Sequence, residues 1–146
     1  MRLFADTAES ISKTSSRLKK VRILAEFLQN LSDDDLRAAS VYFTGRPFPL
    51  ADARTLNVGG AVLARTVMDV TGASEADLGR AYLEHGDMGD AARRLFPATD
   101  QSALTPSQRL KVFPGLSEAS GVAAKQAILR ELFSNLAPAA AQYIIK

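Results

Sequence analysis

Cysteine is absent from this sequence, and His85 is its one histidine. The first absence excludes disulfides, thiolate metal sites and cysteine nucleophiles; the second excludes most histidine-built zinc sites and proton relays. Long apolar runs are also missing. No stretch approaches the roughly 20 residues a membrane span needs, and no apolar segment follows a basic start as it does in a secretory leader. Asp6 and Glu9 argue against an organelle presequence, which is poor in acids. The expectation is a cytoplasmic protein with no membrane contact. No segment alternates polar and apolar residues for long enough to build a sheet.

A helical rhythm is present instead, over nearly the whole chain. The 146 residues, 47% hydrophobic and 23% charged, suffice for a buried core in one compact domain. Phe4, Ala8 and Ile11 begin a series of apolar residues three and four apart. Leu18, Val21, Leu24, Ala25, Leu28 and Leu31 continue it behind Ser15 and Ser16, whose hydroxyls suit a helix cap. Ser32 and Asp35 have the spacing of a capping box ahead of Leu36, Ala39 and Phe43; Gly45 stops that helix, and a loop runs to Pro49. Val62 to Val70 form a fourth helix closed by Gly72. Ser74 and Asp77 open a fifth, which ends at Gly86, and Asp87 caps a sixth that runs to Pro97. Residues 97–104 read as a loop. Thr105, Pro106 and Gln108 start a short helix to about Phe113, and Gly115 and Gly121 bracket a turn. Ile128, Leu129, Leu132, Phe133 and Leu136 make a strong stripe, and Pro138 opens a last helix through Tyr143, Ile144 and Ile145. The expected fold is all-α, a single compact array of about eight or nine short helices.

Eighteen Lys and Arg against sixteen Asp and Glu leave a formal charge of only +2, so the distribution of charge says more than its total. Lys13, Arg17, Lys19, Lys20 and Arg22 share one window with no acid. Residues 66–104 hold three cations against seven acids, and residues 105–146 hold five against two. Such runs also suit a solvated helix face. Arg17 and Lys125 are more telling, because each falls near the start of a helix, where the macrodipole disfavours a cation by roughly 0.3–1 kcal/mol. A phosphate there reverses the penalty by accepting from free amides, from Ser15 or Ser16 and from the guanidinium. Three glycine turns invite the same reading: Gly59-Gly60, Gly86-Asp87-Met88-Gly89, and Gly121. A backbone without Cβ lets a sugar-phosphate chain approach and points amides at it, although a helix stop followed by a start accounts for each turn as well.

None of the six lysines is followed by x-Asp-Gly, the pattern expected around a nucleotidyl-accepting lysine, and no Walker-type loop or Ser-His-Asp set occurs. His85 reads as the last residue of a helix, favoured there by the dipole. Asp33, Asp34 and Asp35 read as a negatively charged first turn rather than a metal site. Tyr42, Tyr82 and Tyr143 are too dispersed to suggest a base-stacking platform.

TSSRLKKVRILAEFL (Thr14 to Leu28), LNVGGAVLARTV (Leu56 to Val67), HGDMGDAA (His85 to Ala92), GVAAKQAILRELF (Gly121 to Phe133) and APAAAQYIIK (Ala137 to Lys146) resemble, in order, the N-terminal DNA-binding domain of ATP-dependent DNA ligases. The Thr-Ser-Ser-Arg-Leu-x-Lys and Gly-Asp-x-Gly elements, correctly ordered and separated, carry most of the likeness. The resemblance implies that residues 1–146 form one helical domain gripping nicked duplex DNA across the minor groove by phosphate and sugar contacts. It implies contact roles for Ser15, Ser16, Arg17 and Lys20, for the backbone around Gly59, Gly60, Gly86, Asp87, Gly89 and Gly121, and for Lys125. No catalytic residue, metal or cofactor is expected in this segment. The parent polypeptide would be a monomeric, nucleoid-associated ligase using ATP and Mg²⁺ in replication, repair and recombination, with adenylation and OB-fold domains beyond Lys146. Two departures stand out: Lys19 occupies a position where relatives often carry an acid, and Asn57 one where many carry glycine. Asparagine tolerates a left-handed backbone, so the turn can survive. The rival readings are a stand-alone helical nucleic-acid-binding module and a helical protein-interaction scaffold docking through the acidic stretch from Asp69 to Asp100.

Overall fold

Short polar side chains start several helices where local capping logic puts them. The computed structural model describes residues 2–98 and 105–146. Its helices, in chain order, are α1 (Arg2–Ser12), α2 (Arg17–Gln29), α3 (Asp33–Tyr42), α4 (Gly60–Thr71), α5 (Glu75–His85), α6 (Met88–Leu95), α7 (Pro106–Leu110), α8 (Val112–Glu118), α9 (Val122–Ser134) and α10 (Pro138–Ile145). No strand occurs among the described residues, and the all-α expectation holds. Among the described residues the segment expected to be one short helix to about Phe113 is two, α7 and α8, separated by Lys111, so ten short helices make up the array. Gly115 lies inside α8, not in a turn. Phe113 and Leu116, three residues apart and both buried, hold that helical turn together through the glycine. Of the expected 97–104 loop, residues 99–104 lie outside the described residues.

The Ser74 hydroxyl accepts from the Asp77 amide at 3.1 Å while the Asp77 carboxylate accepts from the Ser74 amide at 3.1 Å. Thr105 and Gln108 form the same reciprocal pair at α7. The Ser32 hydroxyl accepts from the Asp35 amide, but Asp35 accepts from the Ser107 amide at 2.9 Å and so ties α3 to α7. Partial burial works to raise the Asp35 pKa; the bonds from Ser107, Thr105 and Ser32 outweigh it and hold the carboxyl below its usual range.

The largest fully buried side chains include Phe133, Leu116, Leu136 and Val67. Ala91, Ala92, Ala140 and Ala141 are also buried, which lets α6 and α10 lie close together. Phe4 of α1 gathers the rings of Phe43, Tyr42, Phe27 and Tyr143 at centroid distances of 4.6, 6.0, 6.3 and 6.3 Å. Tyr42 and Tyr143, both half-buried, thus flank Phe4 at the core, while Tyr82 is exposed.

Two features position the site. First, α2 joins the core only through its second half, by way of Phe27 and Leu28. Leu18 and Val21, expected on its buried face, are 82% and 58% exposed, and the whole basic first half, residues 17–22, is exposed among the described residues. Second, the connection from α3 to α4 extends well past the expected end at Pro49. It is pinned by buried Phe48, which meets Phe113 at 6.4 Å. The Arg54 guanidinium lies 4.6 Å from the Phe48 ring centre and is bonded to Asp52.

Candidate nucleic-acid interface

The Lys125 ammonium donates to the carbonyls of Leu56 at 2.8 Å and Asn57 at 3.0 Å, just ahead of α4. Further along the same two helices, Arg130 of α9 donates to Asp69 of α4 at 2.5 and 3.0 Å. The two links advance in the same direction on both elements, so α4 and α9 run in the same sense with their N-termini side by side. Gly59 caps α4 and Gly121 caps α9. Neither start has a side-chain cap, and neither first turn carries an acid. The positive ends of two helix dipoles and their free amides thus face solvent together, an arrangement suited to an anion.

Glycine has different reasons at these two starts. Gly121 sits at φ 84°, a backbone conformation that a side chain would strain. A Cβ at Gly59 or Gly60 would meet nothing within 4 Å, and neither has a positive φ. The fold does not require glycine at 59 or 60, whereas close approach of another backbone would. Asn57 adopts φ 47°, so the turn expected to tolerate asparagine does so.

At the start of α2, the Ser16 hydroxyl accepts from the Lys19 amide at 3.4 Å. Ser15, Arg17, Lys19, Lys20 and Arg22 are exposed. No ion pair neutralises these four cations among the described residues, whereas Lys13, the fifth of that window, pairs with Glu9 at 3.0 Å. No hydrogen bond or ion pair joins Ser15, Ser16, Arg17 or Lys20 to α4 or α9 among the described residues. The Lys125 bonds bring the start of α9 up to the residues just ahead of Gly59 and Gly60, and no such bond ties the α2 start to them among the described residues.

The third glycine turn is engaged by the fold. Gly86 ends α5 at φ 71° and stays exposed. Asp87 caps α6 by accepting from the Asp90 amide at 3.0 Å and lies 3.7 Å from the Lys146 ammonium. Gly89, expected to admit a sugar-phosphate chain, is buried against α10, where a Cβ would overlap the Gln142 carbonyl oxygen. Lys125 departs from expectation in a similar way. Expected to reach out toward phosphate, it is only 9% exposed and holds two backbone carbonyls. Helical side chains lean toward the N-terminus, as anticipated, but here the loop before α4 lies on that path. Sequence reasoning missed this anchor and the Phe48–Arg54 clamp on the same loop. The partners of Lys125 are far away in sequence, and the clamp sits in a stretch with no helical period to mark it.

Among the described residues, no helix is long and apolar enough to cross a membrane. Asp33, Asp34 and Asp35 form the first turn of α3, as read from the sequence.

Fold and site together define an all-helical domain with exposed helix starts suited to anions. The chain belongs to the family described as DNA ligase N terminus, whose model matches residues 1–146. It is 35% identical over 148 residues to a probable DNA ligase of Koribacter versatilis, covering 100% of this chain and 26% of that protein. It is 30% identical over 182 residues to a probable DNA ligase of Opitutus terrae, covering 98% of this chain and 18% of that one. A DNA ligase of Methanothermobacter thermautotrophicus is 31% identical over 151 residues, with 97% and 27% covered. The chain thus spans about a quarter or less of the length of these relatives.

Proposed function

We propose that this chain is the DNA-binding domain of an ATP-dependent DNA ligase. It holds nicked duplex DNA through phosphate and sugar contacts across the minor groove. The observation that carries the reading is the pair of uncapped, acid-free helix starts at Gly59–Gly60 and Gly121, lying side by side. Amides there bind one stretch of backbone, and Ser15, Ser16, Arg17 and Lys20 at the α2 start bind another. Exposed Gly86 leaves room for a further approach at the α5–α6 turn. Contacts to phosphate and sugar carry no sequence information, which suits an enzyme that must seal any nick.

In the whole enzyme, adenylation and OB-fold domains would use ATP and Mg²⁺ to activate the 5′-phosphate of the nick and join it to the 3′-hydroxyl in replication, repair and recombination. This domain supplies affinity and alignment of the ends, an effective-concentration effect. The residues of this chain do not fit a nucleotidyl-transfer centre: no lysine precedes x-Asp-Gly, and buried Lys125 is bonded to carbonyls. Within the acidic stretch, Asp69, Asp77 and Asp90 are paired with Arg130, Arg80 and Lys146, which weighs against that stretch as the docking face of a scaffold.

Titrating a nicked duplex against the chain at two salt concentrations tests the reading. The expected result is binding at low salt that weakens steeply as salt rises. No binding at low salt overturns it.

A further inference from the structure

We propose that Lys125 is a positioning residue for the phosphate-facing start of α4, not itself a phosphate ligand; the inference rests on the DNA-binding reading above. Its ammonium is drawn inward, the residue being 9% exposed, and donates to two consecutive carbonyls, those of Leu56 and Asn57. Asn57 holds the left-handed conformation at φ 47°, and Val58, packed against the core, leads directly into Gly59, the cap of α4. One side chain on α9 thus fixes both the bend that aims the α4 amides and the separation of the two helix starts. Arg130 and Asp69 join the same helices further on, where no amide is free. Lys125 therefore sets the geometry at the end where a phosphate would sit.

The two roles leave different signatures. A cation that neutralises a phosphate releases counterions, so its loss flattens the salt dependence by close to ~0.9 in log–log slope per contact. The α4 amides carry no net charge. Mis-aiming them lowers affinity by a similar factor at every salt concentration and leaves the slope alone.

The experiment measures binding of a nicked duplex over a salt series, with amide hydrogen exchange across residues 58–63, for the wild-type chain, Lys125→Met, Lys125→Gln and Arg17→Ala. For Lys125→Met the expected result is affinity lower by about tenfold, a wild-type salt slope, and faster exchange at 58–63. Lys125→Gln, which returns a donor without a charge, should recover part of both losses. Arg17→Ala should flatten the slope. A flattened slope in Lys125→Met, or unchanged affinity, overturns the proposal. So does Lys125→Gln binding as weakly as Lys125→Met with exchange at 58–63 unaltered. Should Lys125→Met fail to fold, Lys125→Gln against wild type decides between the two roles: weakened binding at constant slope supports positioning, and a flattened slope overturns it. If the wild-type chain does not bind DNA while Lys125→Met still speeds exchange at 58–63, the DNA reading falls and the hold of Lys125 on the α4 start remains.

Discussion

The block of α5, α6 and α10 and the pair of α4 and α9 are built from the same ingredients: a glycine turn, a helix start and nearby charges. In the first, the charges face one another. Asp87 caps the Asp90 amide, Asp90 pairs with Lys146 at 2.9 Å and accepts from Gln142, and Arg93 donates to Gln142 at 2.8 Å and to Glu9 at 3.4 Å. The Lys146 partner holds the Asp90 carboxyl below its usual range, and Asp90 in turn holds the Lys146 ammonium above its own. Ser74 and Asp87 cap the starts of α5 and α6, with only α10, which opens on Pro138, beginning without a side-chain cap; in the second region both helix starts carry neither side-chain cap nor acid. A helix start satisfied from within contributes to stability; one left bare is available to a ligand. The glycines divide in the same way, Gly89 being demanded by the packing of α10 and Gly59 and Gly60 by nothing in the fold.

Substitutions in the two regions should therefore move different observables. The largest effect is expected from Gly89→Ala. Its methyl would overlap the Gln142 carbonyl, and forcing α6 off α10 should cost about 3 kcal/mol in a denaturation experiment. An unchanged midpoint would mean that the two regions are not built differently.

Asp90→Ala removes the acceptor of Gln142 and the nearer carboxylate of Lys146, leaving Lys146 only Asp87 at 3.7 Å, and should cost about 2 kcal/mol near neutral pH. The folded pKa of Asp90 lies below the ordinary aspartate value of 3.8, so its contribution is present above that value and disappears as the pH falls through the folded pKa. Stability curves of wild type and Asp90→Ala should accordingly converge at the acid end, below about pH 3.8. Parallel curves would remove the charge from the explanation.

Arg17→Ala sharpens the contrast from the other side. Stability should be unchanged, while affinity for nicked duplex falls roughly tenfold at low salt and the salt slope drops by about one. Gly60→Ala should have the smallest effect, with opposite signs in the two assays. The free chain gains about 0.5 kcal/mol because alanine favours a helix, and DNA binding weakens because the methyl stands where a backbone would approach. A Gly60→Ala protein that binds as well as wild type would argue that nothing approaches that turn closely.

Much of this was legible in the sequence because helix boundaries are written locally. Ser74 with Asp77, Thr105 with Gln108 and Asp87 before Met88 act within three residues, and each caps as its spacing predicts. The five segments resembling ligase DNA-binding domains lie in order along the chain, and the family match covers all of it. Leu18 and Val21 misled because periodicity reports that a face is apolar, not whether another element reaches it. Gly115 misled because glycine in isolation reads as a stop, while buried Phe113 and Leu116 keep the helix running.

By itself, then, the sequence determined the helical class, most helix starts and the basic character of the α2 start, since all of these depend on interactions a few residues long. The tertiary structure alone decided which glycine turns stay open and which way Lys125 turns. The carbonyls that hold Lys125 lie 69 and 68 residues away, and the backbone that fills the space beside Gly89 belongs to α10. A side chain at a helix start meets whatever the packed chain brings to it, and no local pattern encodes that.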